Sequence, residues 1–387
     1  MVGQNMIRIL VVGDFLEGSG LTNYLMNTYS HFSSDEFLID CLSYGGRSDL
    51  KEEILDNGWG FNTITPVTKN PVKHLFDWNR FMKKNANKYD IVHFNYSAAW
   101  NYFAVKSAKK NGIKKIIVHS HNNYYSKRPK LKIIKFILDT LNNRGKKIIE
   151  ECSDLELAVS KDAANWMFEN GNEAIIQKNG IEIDKFIFNG SAREKLRKEI
   201  DSEDNKIIGF IGTLEERKNP VFALKIFENI LKREKNVRLL VFGKGPDKEM
   251  LKEMVNQFGI SNKVKFMGVQ KNLEQWYSAM DLFIFPSKNE GFGFVLLEAQ
   301  INGLPIICSN SIPQEAILTD SVKRISLNKS MDWINSSINT LYNEKRDRNV
   351  DSKDNLETII KAGFSIESTS NELKNSIRKL FNNEEVY

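Results

Sequence analysis

MDLFIFPSKNEGFGFVLLEA, residues 280–299, is the stretch that decides the fold, because it joins a short apolar strand to an apolar helix through a glycine turn. The apolar and aromatic run that stops at Pro286 is typical of a buried parallel strand. Glu290 therefore lies in the loop at the carboxyl end of a strand, the edge where open α/β sheets bind ligands. Glu298 follows eight residues later, in the helix. The first amides of this helix should be free to donate to hydroxyls or phosphates. They belong to Phe292, Gly293 and Phe294.

The same alternation of strand and helix patterns runs through both halves of the chain. Strict alternation predicts parallel, doubly wound sheets, so the fold class is α/β. A chain of 387 residues also fits two domains of ordinary size better than one. The strands are predicted at residues 7–12, 37–42, 91–94, 115–118 and 155–159 in the first half, and at 207–211, 237–242, 264–267, 282–285 and 305–308 in the second.

The composition is that of a folded protein, with 41% hydrophobic and 27% charged residues. No apolar run reaches about 18 residues, the length that spans a bilayer. The N-terminal apolar run breaks at Gly13 as a first strand would, and no signal-peptide pattern precedes it, so we expect a cytoplasmic protein. The three cysteines are widely spaced and form no metal-ligand pattern, so we expect reduced thiols and no metal site. They are Cys41, Cys152 and Cys308.

The stretch at 280–299 resembles the Glu-x7-Glu motif of the retaining glycosyltransferases with the GT-B fold, family four, also called group 1 glycosyl transferases. Four more segments are similar to motifs of this family and follow the family's order. They are Val118–Asn122 with the N-domain histidine, Asn179–Phe186 at the junction of the two domains, Ile211–Pro220 as the phosphate loop, and Phe242–Pro246 as the Gly-x-Gly-Pro turn. Five motifs in register are far more specific than any one of them.

The resemblance implies two Rossmann-like domains that face each other across a cleft. Residues 1–185 would form the N-terminal acceptor-binding domain, and residues 186–365 would form the nucleotide-sugar-binding domain. Residues 366–387 would form a closing helix that crosses back to the N-terminal domain.

The resemblance also implies the reaction. A hexose would pass from a nucleotide diphosphate sugar, expected to be a UDP-sugar, to a glycan acceptor, and the configuration of the bond would be kept. The branch that the chain most resembles builds bacterial capsule or exopolysaccharide on a lipid carrier, so a lipid-linked acceptor is expected. No cofactor, metal ion or nucleic acid is expected to take part.

Breaking a sugar–diphosphate bond puts negative charge on the departing oxygens, so the site needs cations and fixed donors there. Lys218 matches the family's lysine, whose ammonium neutralises the β-phosphate. Glu298 matches the residue that accepts hydrogen bonds from the ribose, and Glu290 matches the residue that faces the donor sugar. The resemblance therefore makes Lys218, Glu290 and His121 the candidate catalytic residues.

The phosphate loop departs from the family at Thr213, where its relatives have arginine. A threonine hydroxyl does not replace a bidentate guanidinium at a diphosphate, although Arg217 could swing in. The loss of this arginine is expected to lower the affinity for the donor and the activity. Gly212, Thr213 and Arg217 are still expected to contact the donor.

His121 ends a strand-like run at the ligand-binding edge of the first sheet. His119 lies on the same face of that strand, so periodicity leaves open which histidine reaches the sugar. We favour His121 because the family's histidine stands at the very end of the strand. Gly18 and Gly20 fit the first βα turn, where the backbone comes close to diphosphate or acceptor.

Residues 101–150 contain thirteen Lys and Arg against two acids, a cluster that attracts anionic partners. Within residues 124–147 these cations flank an apolar stripe, a pattern shared by core-facing helices and membrane-surface helices. Peripheral contact between residues 124–147 and the anionic inner face of the membrane is therefore one expectation, and a core-facing stripe is the other. The stripe consists of Ile133, Ile134, Phe136, Ile137 and Leu141.

Two other functions stay open. A nucleotide-sugar epimerase with the same fold would convert the donor without any acceptor. A catalytically silent partner subunit would use the fold to hold a second transferase, and Thr213 is the residue that favours it.

Overall fold

The computed structural model describes residues 6–17, 19–123, 125, 131–290 and 292–386. The chain divides into two units, and each contains one parallel sheet covered by helices. Unit 1 consists of residues 1–180 and 366–387, and unit 2 consists of residues 181–365.

Seven strands form the sheet of unit 1 among the described residues: β1 (Ile7–Gly13), β2 (Phe37–Ser43), β3 (Gly60–Thr63), β4 (Ile91–Tyr96), β5 (Lys115–Ser120), β6 (Leu155–Ala158) and β7 (Ile175–Ile176). Their order is β3-β2-β1-β4-β5-β6-β7, and every neighbouring pair is parallel. Strand order reverses between β1 and β4, so the loops that follow these strands open a crevice at the carboxyl edge.

Unit 2 repeats the plan with six strands in its described part: β8 (Lys206–Ile211), β9 (Val237–Phe242), β10 (Val264–Gly268), β11 (Leu282–Phe285), β12 (Ile306–Ser309) and β13 (Val322–Ile325). Their order is β10-β9-β8-β11-β12-β13, again with parallel pairs throughout. The reversal here falls between β8 and β11, which makes the loops after these two strands neighbours.

The helices follow the strands in the expected alternation. They are α1 (Gly20–Ser30), α2 (Lys51–Asp56), α3 (Pro71–Asn85), α4 (Tyr102–Lys110), α5 (Lys132–Cys152), α6 (Lys161–Met167), α7 (Gly190–Glu199), α8 (Pro220–Leu231), α9 (Lys248–Gln257), α10 (Leu273–Ala279), α11 (Phe294–Ile301), α12 (Ser330–Tyr342), α13 (Arg348–Lys361) and α14 (Ile366–Phe381).

Local sequence sets where α3 begins and which side it buries. The Asn70 side chain accepts a hydrogen bond from the first turn, and Pro71 occupies the first helical position, where no amide partner is needed. His74, Trp78 and Met82 recur every four residues and are the buried residues of the helix. The helix therefore packs on the sheet through one narrow stripe.

The core of unit 2 lies on both faces of its sheet. In β11 alternate residues enter different apolar clusters, Phe283 and Phe285 on one side, Leu282 and Ile284 on the other. Full burial of each such side chain stabilises the fold by about 1.5–3 kcal/mol. A strand buried on both faces must be apolar at every position, which is why the 282–285 run is easily recognised.

The last helix, α14, belongs to unit 1 and packs against α1. The Gln177 side chain donates to the carbonyl of Thr369 at 3.0 Å. Arg378 donates two hydrogen bonds of 2.6 Å to the Glu36 carboxylate, a bidentate geometry that fixes the helix direction. The two units divide after residue 180, five residues before the domain boundary predicted from the sequence.

The prediction of two parallel sheets is confirmed, but three strands were not predicted from the sequence. β3, β7 and β13 are the outermost strands of their sheets, and each has four residues or fewer. An edge strand is partly exposed, so it lacks the continuous apolar run by which the central strands are recognised. Across the described ranges, no helix has the length and apolarity that a membrane span requires.

Candidate active site

The loop between β8 and α8 carries the predicted phosphate-binding residues. Asn219 caps α8 in the left-handed conformation, with φ 59°, which asparagine tolerates better than most residues. Pro220 then begins the helix. This sharp entry leaves Lys218 directly ahead of the helix, at the carboxyl edge of the sheet. Pro220 has no amide hydrogen, and the amides of Phe222 and Ala223 donate to the Asn219 carbonyl, so the Lys218 ammonium is the group that favours an anion there.

Lys218 and Glu290 form the centre of the site. The Lys218 ammonium donates to Oε1 of Glu290 at 2.6 Å and stands 5.1 Å from the centre of the Phe285 ring. The Ser287 hydroxyl donates to the same carboxylate oxygen. Arg217 Nη1 lies 3.5 Å from both Glu290 oxygens. One buried carboxylate is thus held by two cations and a hydroxyl.

The protonation of this group follows from burial and charge together. Burial raises the pKa of the Glu290 carboxyl, but the charges of Lys218 and Arg217 outweigh it and hold this pKa below its usual value. Burial lowers the pKa of the Lys218 ammonium, and Glu290 opposes that shift only in part. An ammonium has three donors and Glu290 uses one, so Lys218 can hold a second anionic partner.

Two glycines allow the site loops to pack closely. A Cβ on Gly243, which has φ 126°, would lie 2.0 Å from the carbonyl oxygen of Gly212, so the turn after β9 rests directly on the phosphate loop. Gly293, with φ 95°, caps the start of α11 in a left-handed conformation beside Phe285 and Glu290. Gly212 itself lies against the Lys218 stem, since a Cβ there would be 3.3 Å from Lys218 Cγ.

Glu298 lies on α11 and has a partner of its own. The Tyr277 hydroxyl on α10 donates to Oε2 of Glu298 at 2.5 Å, and the Tyr277 ring is fully buried against Phe186 and Phe283. Burial raises the pKa of Glu298 to about 7; the hydrogen bond from Tyr277 opposes this and the charge of Glu274 adds to it. Glu298 therefore titrates near neutral pH.

The remaining predicted residues of unit 2 differ in how they are placed. Thr213 is exposed on the phosphate loop. The Phe292 side chain is buried and stacks on Phe364, with ring centres 5.3 Å apart, so it is not available to a ligand. Phe294 is the first residue of α11 and is half-buried.

In unit 1, His121 follows β5 at the carboxyl edge, and its ring is held in one orientation. Its Nε2 lies 2.9 Å from Oδ1 of Asn95, while the Asn95 amide nitrogen donates to the carbonyls of Val12 and His93. The amide oxygen is therefore the acceptor, and Nε2 of His121 carries the hydrogen. Burial keeps the pKa of His121 well below its usual value, so the ring is neutral and its Nδ1 is an acceptor.

His119 lies deeper than His121, with no exposed surface, so we keep only His121 as a candidate sugar contact. The two rings are 4.1 Å apart, and His119 stacks on His93 at 5.6 Å. Within the described part of the chain neither nitrogen of His119 has a hydrogen-bond partner. Nδ1 of His93 and the Tyr29 hydroxyl form a hydrogen bond of 2.6 Å. We call His93, His119 and His121 the histidine cluster.

Gly20 is the first residue of α1 and is exposed, as the predicted βα turn requires. Gly18 lies outside the described residues. The sequence reasoning missed Ser287, Tyr277 and Asn95. Ser287 stands three residues before Glu290 in the same loop, and this nearness in sequence is a signal that could have found it. Tyr277 and Asn95 are distant in sequence from their partners, so no local signal exists for them.

Residues 192–358 match the family of group 1 glycosyl transferases. The chain carries a group 1 glycosyltransferase domain. This confirms the family resemblance, and the match contains Lys218, Glu290 and Glu298 together with their neighbours.

Relatives extend the similarity beyond this domain. The protein EpsF of Bacillus subtilis (strain 168) is 27% identical over 322 residues, which are 80% of each chain. The capsular polysaccharide biosynthesis glycosyltransferase CapM of Staphylococcus aureus is 32% identical over 134 residues, 34% of this chain and 35% of CapM.

Solved structures show the same fold. HepE of Anabaena, crystallised in complex with UDP, aligns with a TM-score of 0.79 over 97% of this chain and 100% of HepE, at 15% identity. A complex of HepE with UDP-glucose aligns with a TM-score of 0.77. The fold is GT-B, as the sequence predicts.

Proposed function

We propose that the protein is a retaining glycosyltransferase that moves a hexose from a UDP-sugar to a glycan acceptor, with the donor bound by unit 2. The observation that carries the proposal is the contact of Lys218 with Glu290 beside the start of α8. This contact places a cation at the positive end of a helix and at a sheet edge, where a diphosphate is well stabilised. HepE, which shares the fold, has been crystallised with UDP and with UDP-glucose.

Lys218 is proposed to hold the β-phosphate and to stabilise the charge that develops when the sugar leaves. Arg217, already within 3.5 Å of Glu290, is proposed to supply the second cation that relatives supply from position 213. Two cations that are already held in place need no rearrangement as the bond breaks. The loss of one such fixed donor lowers kcat by about 10²–10³.

Glu290 is proposed to accept hydrogen bonds from the donor sugar, and Glu298 from the ribose. The amides of Phe292, Gly293 and Phe294 at the start of α11 are proposed to complete the phosphate contacts. Because Glu298 titrates near neutral pH, ribose binding is expected to strengthen as pH rises through about 7.

Unit 1 is proposed to bind the acceptor. The neutral His121 ring offers an acceptor nitrogen at the carboxyl edge, which suits an uncharged sugar hydroxyl. The relative CapM takes part in capsular polysaccharide biosynthesis by its name, and this supports a lipid-linked glycan of capsule or exopolysaccharide as the acceptor.

The reaction is proposed to keep the configuration of the bond and to need no metal ion. The acceptor hydroxyl would attack from the face that the diphosphate leaves, and the diphosphate oxygen would take the hydroxyl proton. NMR of the anomeric proton of the transferred sugar, recorded on the product as it first forms, reports whether the configuration of the bond is kept. Transfer that is lost in EDTA and restored by Mg²⁺ would contradict metal independence.

Residues 124–147 are proposed to touch the anionic inner face of the membrane. Four of the five residues of their apolar stripe are exposed rather than core-facing: Ile133, Ile134, Phe136 and Ile137. Exposed apolar side chains interleaved with lysines fit an interfacial helix. Residues 124 and 126–130 of this segment lie outside the described residues.

The decisive experiment is a thermal-shift screen over nucleotide sugars, followed by a transfer assay with the best ligand and a membrane fraction as acceptor source. A ligand that binds only the native state raises the melting temperature. Conversion of the nucleotide sugar in the absence of any acceptor would favour the epimerase. Binding without transfer under every condition would favour the silent subunit. No stabilisation by any nucleotide would overturn the proposal.

A further inference from the structure

A cavity of about 460 Å³ lies in unit 2, between strand β13 and helix α12. Lys323 and Ile325 are two residues apart in β13, so their side chains lie on the same face of the sheet, and both line the cavity. Asp332, Asn335 and Ser336 are three or four residues apart on α12, so they line it from one side of that helix. The volume is within the range of about 300–1,000 Å³ that small-molecule sites have.

This cavity is separate from the candidate active site. Glu290 follows β11, whereas the cavity is lined by residues that follow β12 or lie in and after β13. Neighbouring strands are about 4.8 Å apart, so β13 lies about 10 Å from β11. The residues that line it also differ from those that contact Lys218 and Glu298. The cavity is therefore a second candidate site and not an extension of the phosphate loop.

One buried hydroxyl in the wall of the cavity has no partner in the described part of the chain. Ser336 is 8% exposed, and its hydroxyl makes no hydrogen bond to the described residues. The next residue, Ser337, is fully buried and donates to the carbonyl of Trp333 at 2.7 Å, a usual arrangement for a serine inside a helix. Buried hydroxyls normally have a partner, so the unpaired hydroxyl of Ser336 indicates that a ligand in the cavity supplies one.

Two more side chains present hydrogen-bond donors to the cavity. Oδ1 of Asn335 accepts a hydrogen bond of 2.8 Å from Arg233, and a guanidinium can only donate. The amide nitrogen of Asn335 therefore keeps both of its hydrogens for another partner. The Ser326 hydroxyl accepts from the Asn328 amide at 3.4 Å and keeps its own hydrogen. Together with Ser336, these donors suit a ligand that carries several oxygen acceptors.

The charge of the wall favours an anion. Among the described residues, three cationic side chains line the cavity against one carboxylate: Lys323, Arg324, Lys329 and Asp332. The Arg324 guanidinium is already used, because it donates to the Gln314 side chain and to two backbone carbonyls. Lys329 lies 3.8 Å from Asp332 and both side chains are exposed, so this pair is weak. Lys323 makes no ion pair with the described residues, so its ammonium can bind an anionic ligand.

These groups distinguish between classes of ligand. An inorganic anion would pair with Lys323 but would fill little of the cavity and leave most of its donors unused. A neutral sugar would use the donors and leave Lys323 without an anionic partner. A nucleotide would find no ring on which its base could stack, since the described lining residues include no aromatic side chain. A sugar that carries a carboxylate or a phosphate uses both the donors and the cation.

We propose that this cavity is a second carbohydrate site of unit 2, and that it binds an anionic sugar, either a uronic acid or a sugar phosphate. Ser326, Asn335 and Ser336 donate to the hydroxyl oxygens of this sugar. The Lys323 ammonium pairs with its carboxylate or phosphate, and a charge-assisted hydrogen bond of this kind is the strongest contact in the site. The site does not depend on the transfer reaction proposed above.

Saturation-transfer NMR on the full chain tests the proposal, with UDP present in every titration so that the donor site is occupied. Glucuronic acid and glucose 6-phosphate should both bind, and comparison of the two shows which anionic group the site prefers. Glucose should bind about tenfold more weakly, because it lacks the charged group. Inorganic phosphate should displace either anionic sugar only at about tenfold higher concentration, because it lacks the hydroxyls.

Three variants locate the binding. Ser336→Ala should weaken binding of both anionic sugars about fivefold, because it removes one hydrogen bond to the ligand. Its melting temperature should not fall, since this hydroxyl has no partner among the described residues. Ser337→Ala is the matched control: it removes the neighbouring hydroxyl, which bonds within the helix, and should leave binding unchanged. Lys323→Gln should lower the affinity for both anionic sugars about tenfold, to that for glucose.

Each other outcome overturns a stated part of the proposal. Equal affinity for glucose and glucuronic acid overturns the role of Lys323, and equal affinity for inorganic phosphate overturns the choice of a sugar. Equal losses in Ser336→Ala and Ser337→Ala, or no loss in either, place the binding outside this cavity. No binding of either anionic sugar overturns the whole proposal. The increase in melting temperature caused by UDP is measured separately, and its absence would overturn the donor site alone.

Discussion

Both units present polar side chains at the carboxyl edge of a parallel sheet, but the buried groups of unit 2 are charged, whereas the buried rings of unit 1 are neutral. In unit 2, Lys218 and Arg217 surround the Glu290 carboxylate. In unit 1, His121 and His119 lie beside Tyr24 with no ion pair among them. The same βα architecture therefore supports two kinds of chemistry, and the difference comes from a few loop residues.

The difference indicates what each edge can bind. Opposite charges in a buried site keep each other ionised, so Lys218 stays charged and can hold a phosphate in addition to the Glu290 carboxylate. Burial without an opposite charge keeps histidines neutral, so the edge of unit 1 suits hydroxyl groups. A donor with a diphosphate and an acceptor made of sugar match these two edges.

The largest effect is expected from removing the cation of unit 2. Lys218→Met should lower kcat by about 10²–10³, because a fixed donor to the leaving group is lost. It also leaves the buried Glu290 with Arg217, 3.5 Å away, as its cation, so the free energy of unfolding should fall by up to about 3–5 kcal/mol. The double variant Lys218→Met with Glu290→Gln separates the two effects: the melting temperature should recover while transfer stays lost. Recovery of transfer in the double variant would show that Lys218 only balances Glu290.

The second test lowers the pH and measures how the neutral histidine cluster of unit 1 affects the stability of the protein. Burial lowers the pKa of His93 to about 3 and those of His119 and His121 well below 6.5. Below about pH 6.5 these histidines bind protons in the unfolded chain but stay neutral in the folded chain. The free energy of unfolding is therefore not reduced by the histidine cluster above pH 6.5, and it falls as the pH is lowered below that value. The loss is about 1.4 kcal/mol per pH unit for each histidine.

Urea unfolding between about pH 5.5 and 7.5 measures that loss by difference. Glu156 and Glu298, whose pKa values burial raises to about 7, act in the opposite direction, so the curve of the unaltered protein alone does not isolate the cluster. His119→Phe should make the pH dependence of unfolding shallower by the contribution of one histidine, whereas Tyr24→Phe, which alters the ring beside His119 but keeps all three histidines, should not. Equal slopes for both variants would contradict a neutral cluster.

A third, smaller effect concerns Tyr277. Its hydrogen bond favours the ionised form of Glu298, so Tyr277→Phe should raise the pKa of Glu298 further above its value of about 7. UDP-glucose affinity should then rise at a higher pH than in the unaltered protein, with a loss of up to about tenfold at pH 7. Calorimetry across pH reads this directly, since UDP-glucose has no group that titrates in this range. Glu298→Gln should remove the pH dependence, and an unchanged profile in Tyr277→Phe would show that the tyrosine only packs.

The smallest effect is expected from a substitution that adds a charge to the phosphate loop of unit 2 and so increases its difference from unit 1. Thr213→Arg should tighten UDP-glucose binding by about tenfold, because a bidentate guanidinium gains hydrogen bonds to the diphosphate. Thr213→Gln, of similar length but without charge, is the control. Unchanged affinity in both would mean that the phosphates are held elsewhere.

Much of the fold could be predicted because central strands are buried on both faces. The run at 282–285 is apolar at each position, and the proline after it marks its end. The edge strand β13 contains Lys323 and Arg324, which removes that signal. Prediction fails at three of the four sheet edges, where strands are short or partly exposed, and succeeds in the middle, where they are buried on both faces.

In the candidate site, too, some contacts could be predicted from the sequence and others could not. Lys218 and Glu290 each follow a strand, and β8 and β11 are neighbours, so their meeting follows from strand order. The partners of His121 and Glu298 depend on packing between distant segments, from β4 to β5 and from α10 to α11. The identity of Asn95 or Tyr277 contains no information about that packing when the residue is read alone.

The position of α14 has a consequence for the order in which the protein is made. Unit 1 contains the first 180 residues, but it also contains the helix from 366 onward. During translation, unit 2 is therefore fully synthesised while unit 1 still waits for the last segment that packs on α1. A ribosome that stalls after residue 365 exposes a chain whose later half is whole and whose earlier half is not.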